Sequence, residues 1–123
     1  MVPGTGYLDS MSDRMRRVNE AVRQVLSEAL PELKDPRIGF VTVTGVETSH
    51  DLRHARVFVS VFGNQRKQAA SLEGLAAAHG VLQARVARQL RMKRTPLLVF
   101  EYDRTVEEGV RMSKLIDDLA AGE

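Results

Sequence analysis

Basic side chains gather in one ten-residue stretch of this 123-residue sequence. Five of the residues from 85 to 94 are cations and none is acidic: Arg85, Arg88, Arg91, Lys93 and Arg94. At about 100° per residue, the three arginines at the start of this set would form one cationic stripe along a helix. Such a stripe is typical of a surface that contacts phosphate groups. The alternative is a solvated helix face with favourable charge near the helix C-terminus, which does not explain the missing acid.

Further cations lie outside this stretch. Arg14, Arg16 and Arg17 fall in the first turns of the first predicted helix, where the helix dipole disfavours positive charge. A bound phosphate would offset that cost, but screening around solvent-exposed arginines would also make the cost small. Arg37 and Arg53 lie in predicted loops and extend the same candidate surface.

The residues that could support catalysis or metal binding are few. His50, Asp51 and His54 form a single small cluster on a predicted loop, and no second cluster supplies further metal ligands. The sequence has no serine nucleophile motif, phosphate-binding loop or dinucleotide-binding turn. We therefore predict no catalytic residue, no metal site and no cofactor.

The four phenylalanines, which occur in or beside predicted strands, have two interpretations: Phe40, Phe58, Phe62 and Phe100. Exposed rings could stack on nucleobases. Aromatic residues in short strands are more often buried, however, so we assign these rings to the core.

Hydrophobic periodicity predicts the elements that position these residues. An amphipathic helix begins near Asp13, capped by Ser12 or Asp13, and ends near Leu30 because Pro31 cannot continue it. Alternating β-branched residues predict a hairpin of two strands, FVTVTGVE and ARVFVSVF, with a bulge at Gly45.

The second half of the sequence continues this pattern. Two helices are predicted on either side of Gly80, the second ending at Thr95 and Pro96, and LLVFEYD is a third strand. Thr105 and Glu108 form a capping box for a last helix, whose inward side chains are Met112, Leu115, Ile116 and Leu119.

This element order predicts one α+β domain in which helices cover one face of a three-stranded sheet. The order α-β-β-α-α-β with an additional C-terminal helix is that of type II K-homology domains. We place the domain at residues 12–119, after a flexible leader at 1–11 and before a short tail at 120–123.

Composition and charge limit the classes of protein further. The sequence lacks cysteine and any apolar run long enough to span a bilayer, so we expect a cytoplasmic protein with no membrane partner. Residues 1–100 carry fifteen basic and nine acidic side chains, whereas residues 101–123 carry three and seven. A basic body with an acidic tail suits a polyanionic partner, but the same charges could serve only to keep a small domain soluble, and the charge distribution alone favours the second interpretation.

Three stretches carry a resemblance to a known family: DPRIGFVTVTGVETSHDL at 35–52, followed by ARVFVSV; AHG at 78–80; and LRMKRTPLLVFEYD, which runs on to GVRMSKL at 109–115. Together they resemble the ribosome-binding factor A family from about Ser12 to Leu119. The family lacks the GxxG loop of ordinary K-homology domains, and no two glycines here lie three residues apart. This sequence departs from the family at Gln83, close to where an arginine is usual.

The resemblance implies a non-catalytic, monomeric assembly factor that binds precursor 16S rRNA on the immature small ribosomal subunit and assists its late maturation. Ala78, His79 and Gly80 correspond to the kink that the family has between its two helices. Whether assembly GTPases act beside the protein stays open. Two other classes also stay open: a general nucleic-acid-binding module with a K-homology-like fold, and a protein-interaction domain that uses its acidic last helix.

Overall fold

The computed structural model describes residues 12–105. They form α1 (Asp13–Ala29), a 3-10 turn (Leu30–Glu32), β1 (Val41–Thr48), β2 (His54–Val61), α2 (Gln65–Ala77), α3 (His79–Leu90) and β3 (Leu97–Tyr102). The element order α-β-β-α-α-β agrees with the prediction. The predicted leader, last helix and tail lie outside the described residues.

Helix α1 begins and ends where its sequence requires. The Ser12 hydroxyl accepts a hydrogen bond from the Met15 amide at 3.1 Å, which satisfies one of the free N–H groups at the helix start. The helix gives way to the 3-10 turn at Leu30, next to Pro31. None of the helices in the described part of the chain is both long and apolar enough to cross a lipid bilayer.

The three strands form one mixed sheet in the order β1-β2-β3. Strands β1 and β2 pair in antiparallel fashion, and their register shifts between Val43 and Gly45, so the predicted bulge is confirmed. Strand β3 runs parallel to β2, with Ala55 opposite Leu98. A parallel neighbour needs a crossover, and α2 and α3 supply it.

The helices pack on one face of the sheet, as predicted. Val57 and Val59 of β2 are fully buried and belong to the same core cluster as Leu26 of α1, Leu75 of α2 and Leu82 of α3. The opposite face carries polar and charged side chains, and there Arg56 forms an ion pair with Glu101 at 2.6 Å. This arrangement is the α+β fold with helices on one side that the sequence predicts.

The long helical stretch is interrupted at Ala78, which has φ −86° and ψ 3° and separates α2 from α3. This is the junction at which we expected a kink. The expected role of Gly80 is not supported, because its backbone is not left-handed and a Cβ there would meet nothing within 4 Å. His79 instead anchors the junction: its Nε2 lies 2.8 Å from the Leu98 carbonyl oxygen, and its ring packs edge-on against Phe100.

Gln83, one helical turn after His79, also bonds the start of β3. Its Nε2 donates to the Pro96 carbonyl at 2.8 Å, and its Oε1 accepts from the Leu98 amide at 2.9 Å. The side-chain amide therefore pairs with the strand much as a neighbouring peptide group would. These bonds, together with that of His79, fix α3 to β3.

Helix α3 ends earlier than predicted. It stops at Leu90, and Arg91 adopts a left-handed conformation with φ 51° as the C-cap. Arg91 therefore leaves the helical stripe of Arg85 and Arg88, and the prediction that this helix continues to Thr95 is wrong. A left-handed residue ends a helix before any proline is reached, and no glycine marks this position.

The assignment of all four phenylalanines to the core is also wrong in part. Phe100 packs against the core and Phe58 is half-buried, but Phe40 and Phe62 have 85% and 81% of their surface exposed. Both exposed rings lie just outside the ends of the hairpin strands, where alternation no longer determines burial.

Candidate nucleic-acid interface

Four of the predicted cations meet around one pocket at an end of the sheet. The pocket has a volume of about 500 Å³ and is lined by Arg14, Arg53, Lys93, Arg94, Asp51, Leu52 and Met92. Its side chains come from three separate segments: the start of α1, the β1–β2 loop and the α3–β3 loop. We call it the cationic pocket.

Tight loop geometry positions Arg53. The Asp51 carboxylate accepts a hydrogen bond from the Ser49 hydroxyl at 2.6 Å and another from the Arg53 amide at 3.1 Å. The bond from Ser49, which has the larger effect, and the bond from Arg53 hold the pKa of Asp51 below its ordinary value. This carboxylate is therefore charged at neutral pH. Leu52, with φ 59°, completes the turn that returns the chain to β2.

The α3–β3 loop is attached directly to this turn. The Leu97 amide donates to the Arg53 carbonyl oxygen at 2.7 Å, which sets the first residue of β3 beside Arg53. The left-handed Arg91 redirects the chain from α3 toward this contact. As a result Lys93 and Arg94 reach the same pocket as Arg53, although they are forty residues apart in the sequence.

Charge in the cationic pocket is only partly compensated. Arg14, Lys93 and Arg94 are exposed and form no ion pair with any residue between 12 and 105. Arg53 is 3.9 Å from Asp51, a loose contact between two exposed groups. Four cations around one carboxylate create a local excess of positive charge that can bind phosphate groups.

Arg85 is different, because its charge is already satisfied. Its guanidinium forms a two-pronged contact with the Glu32 carboxylate from the 3-10 turn. The hydrogen bond and the charge of Arg85 lower the pKa of Glu32. The compensating acid missing from residues 85–94 thus comes from a segment 53 residues away.

The remaining predicted cations divide into paired and unpaired groups. Arg37 binds Asp35 at 2.6 Å and Glu73 at 3.5 Å, and Arg16 lies 3.8 Å from Asp13. Arg17, Arg88 and Arg91 are exposed and form no ion pair within the described part of the chain.

Arg17 lies next to the cationic pocket. It lines a groove of about 620 Å³ between α1 and the end of α3, whose floor includes Val25, Leu90 and Met92. Met92 also lines the cationic pocket, so the groove, which Glu20 lines together with Arg17, adjoins that pocket.

The cluster of His50, Asp51 and His54 does not gather into a metal site. Within residues 12–105, no group of three or more histidine, aspartate or glutamate side chains is placed to hold a metal ion. Asp51 instead organises its own loop through Ser49 and Arg53. Its place in the cationic pocket was not apparent from the sequence, which also gave no sign that Leu52 and Met92 form apolar walls there.

The chain is similar to proteins of known family over most of its length. The family model for ribosome-binding factor A matches residues 14–116. Ribosome-binding factor A of Natranaerobius thermophilus is 40% identical over 111 residues, which cover 89% of this chain and 85% of that protein.

A solved structure and a fitted model of related proteins are similar in fold as well. The solution structure of a putative ribosome-binding factor A from Thermotoga maritima has a TM-score of 0.66 at 32% identity, covering 82% of this chain and 90% of that one. A homology model of the Thermus thermophilus factor, fitted into a cryo-EM map of a complex with the 30S subunit, has a TM-score of 0.60 at 32% identity, covering 70% of this chain and 91% of that one. On this evidence the chain belongs to the ribosome-binding factor A family.

Proposed function

We propose that this protein is a non-catalytic assembly factor that binds precursor 16S rRNA on the free small ribosomal subunit and assists its late maturation. The observation that carries the proposal is the cationic pocket, where four cations from three segments surround one carboxylate. A phosphate backbone is the partner that such a surface fits best. The relative that was fitted into a 30S complex supports the choice of subunit.

The mechanism that we propose is occupancy. Arg14, Arg53, Lys93 and Arg94 neutralise phosphates, while Leu52 and Met92 supply apolar contacts beside them. Binding of this kind holds immature rRNA in one arrangement without any bond being made or broken. Arg17, Arg88 and Arg91 extend the contact, whereas the paired Arg16, Arg37 and Arg85 contribute less to it.

Removing two pocket charges tests the phosphate contacts. We expect Lys93→Ala with Arg94→Ala to flatten the slope of log affinity against log salt by about 1 to 2 units, because each lost phosphate contact removes about one unit. The measurement is fluorescence anisotropy with a 16S rRNA fragment across a salt series. A matched control is Arg23→Ala with Lys34→Ala, which removes two exposed charges outside the cationic pocket. Equal slopes for the two double variants would contradict the proposed site.

Cosedimentation separates the proposed function from the two other classes. The protein should sediment with free small subunits and much less with complete ribosomes. Equal binding to both, or equal affinity for duplex DNA at matched salt, would favour a general nucleic-acid-binding module. Binding that survives removal of the accessible RNA from the subunits would favour a protein-interaction domain.

A further inference from the structure

Two exposed phenylalanines lie on neighbouring strand ends at the end of the sheet opposite the cationic pocket. The Phe62 amide donates to the Phe40 carbonyl oxygen at 3.0 Å, which extends the hairpin register beyond the pair Val41 and Val61. Phe40 and Phe62 are 85% and 81% exposed. We call these two rings the aromatic pair.

The cavity beside the aromatic pair is lined by uncharged side chains, and two cations follow Phe62 closely in the sequence. A cavity of about 570 Å³ beside the rings is lined by Thr42, Ser60, Val61 and Tyr102, with no acidic side chain among them. Gly63, with φ +129°, turns the chain into α2 and lies against the Lys67 side chain. Arg66 and Lys67 are exposed and form no ion pair with the described residues.

The rings of the other two phenylalanines already contact other side chains. The Arg56 guanidinium lies 5.0 Å from the centre of the Phe58 ring, and Phe100 packs edge-on against His79. Of the four phenylalanines, Phe40 and Phe62 are the ones that are mostly exposed.

We propose that the aromatic pair is a stacking platform for unpaired nucleobases, with Arg66 and Lys67 holding the adjoining phosphates. Flat, exposed rings beside uncompensated cations are the combination that binds single-stranded nucleic acid with little sequence preference. This inference rests on the proposed function. It adds a second contact, about 25 Å from the cationic pocket along strands of eight residues.

The sequence contains no tryptophan, so Phe62→Trp supplies a single fluorescent reporter. The probes are a single-stranded RNA oligonucleotide and the duplex of the same sequence. We expect the single strand to quench the indole emission and the duplex to leave it unchanged, because paired bases present no free face. Quenching by both probes, or by neither, would overturn the proposal.

Affinity gives a second readout. Phe40→Ala with Phe62→Ala should lower the affinity for the single strand by about tenfold or more without changing the salt slope, because stacking neutralises no phosphate. Val81→Ala, which shortens an exposed side chain on α3, is the matched control. Unchanged affinity would refute the stacking platform. If Lys93→Ala with Arg94→Ala still flattened the slope, the proposed function would survive that failure.

Other occupants of the aromatic pair would be visible in the same reporter. An emission maximum typical of a buried indole in the free protein would mean that something already covers the rings. If dilution abolished that shift, the occupant would be a second copy; if the shift persisted at every protein concentration, the occupant would be another part of the same chain. Either result would overturn the proposal.

Discussion

Two glycines near the junction of α2 and α3 differ in whether the surrounding structure leaves room for a side chain. A Cβ at Gly74 would lie 2.5 Å from Ile38 Cγ1, whereas a Cβ at Gly80 would meet nothing within 4 Å. Gly74 is thus required by a close contact between α2 and the loop before β1. Gly80 carries no such constraint.

Substituting alanine for each glycine tests this difference. Gly74→Ala should destabilise the protein by about 1 to 2 kcal/mol, because Ile38 must move, although alanine recovers part of that in helix propensity. Gly80→Ala should instead raise the free energy of unfolding by up to about 1 kcal/mol, because alanine has the higher helix propensity. Urea denaturation of both variants measures the difference, and a stabilising Gly74→Ala would contradict the packing argument.

At the residue scale the sequence identified candidate cations but not their partners. All four cations of the cationic pocket were among the residues predicted to contact RNA, and that contact stays a prediction. The partner of Arg85 could not be predicted, because Glu32 is distant in sequence and is brought close only by the packing of α1 on α3. The same holds for Asn19, whose buried Oδ1 accepts bonds from the Thr48 amide and hydroxyl.

At the scale of elements, the ion pair between Glu32 and Arg85 ties the 3-10 turn to α3 and makes that tie sensitive to pH. The pKa of Glu32 is lowered in the folded protein from its usual 4.5, mainly by the hydrogen bond from Arg85. A lowered folded pKa contributes stability that is present above about pH 4.5 and is lost as pH falls through the folded value.

We therefore expect Glu32→Gln to be less stable than the parent protein at pH 7 and to approach its stability as the pH falls below 4.5. Urea denaturation across this range gives the comparison. Both groups are exposed to solvent, so the difference at pH 7 should be small and should decrease with added salt. A difference that does not vary with pH would assign the loss to packing instead.

The elements themselves were largely predictable, since hydrophobic periodicity and β-branched alternation extend over whole helices and strands. The exceptions lie at the ends of helices and strands. Helix α3 stops at Leu90 because Arg91 is left-handed, and no local residue type announces that conformation. Phe40 and Phe62 flank the hairpin, where burial depends on what covers the end of the sheet and not on alternation.

At the scale of the whole molecule, the two candidate contacts lie at opposite ends of the sheet. The cationic pocket adjoins the start of β2 and β3, whereas the aromatic pair adjoins the end of β2. The first contact should respond strongly to salt and the second should not. A factor with both could hold one RNA through charge and through stacking, and the double variants described above separate these contributions.

The bonds from His79 and Gln83 to β3 have a consequence for association. Strand β3 is an edge strand, and an uncovered edge presents backbone groups to which a strand of another chain can add. Here two side chains of α3 occupy the Pro96 carbonyl and both polar groups of Leu98. His79→Ala with Gln83→Ala should expose this edge and promote self-association, measurable by sedimentation velocity; a variant that stayed folded and monomeric would contradict this role. Helix α3 thereby blocks the addition of another strand at the start of this edge, where Pro96 and Leu98 already have hydrogen-bond partners.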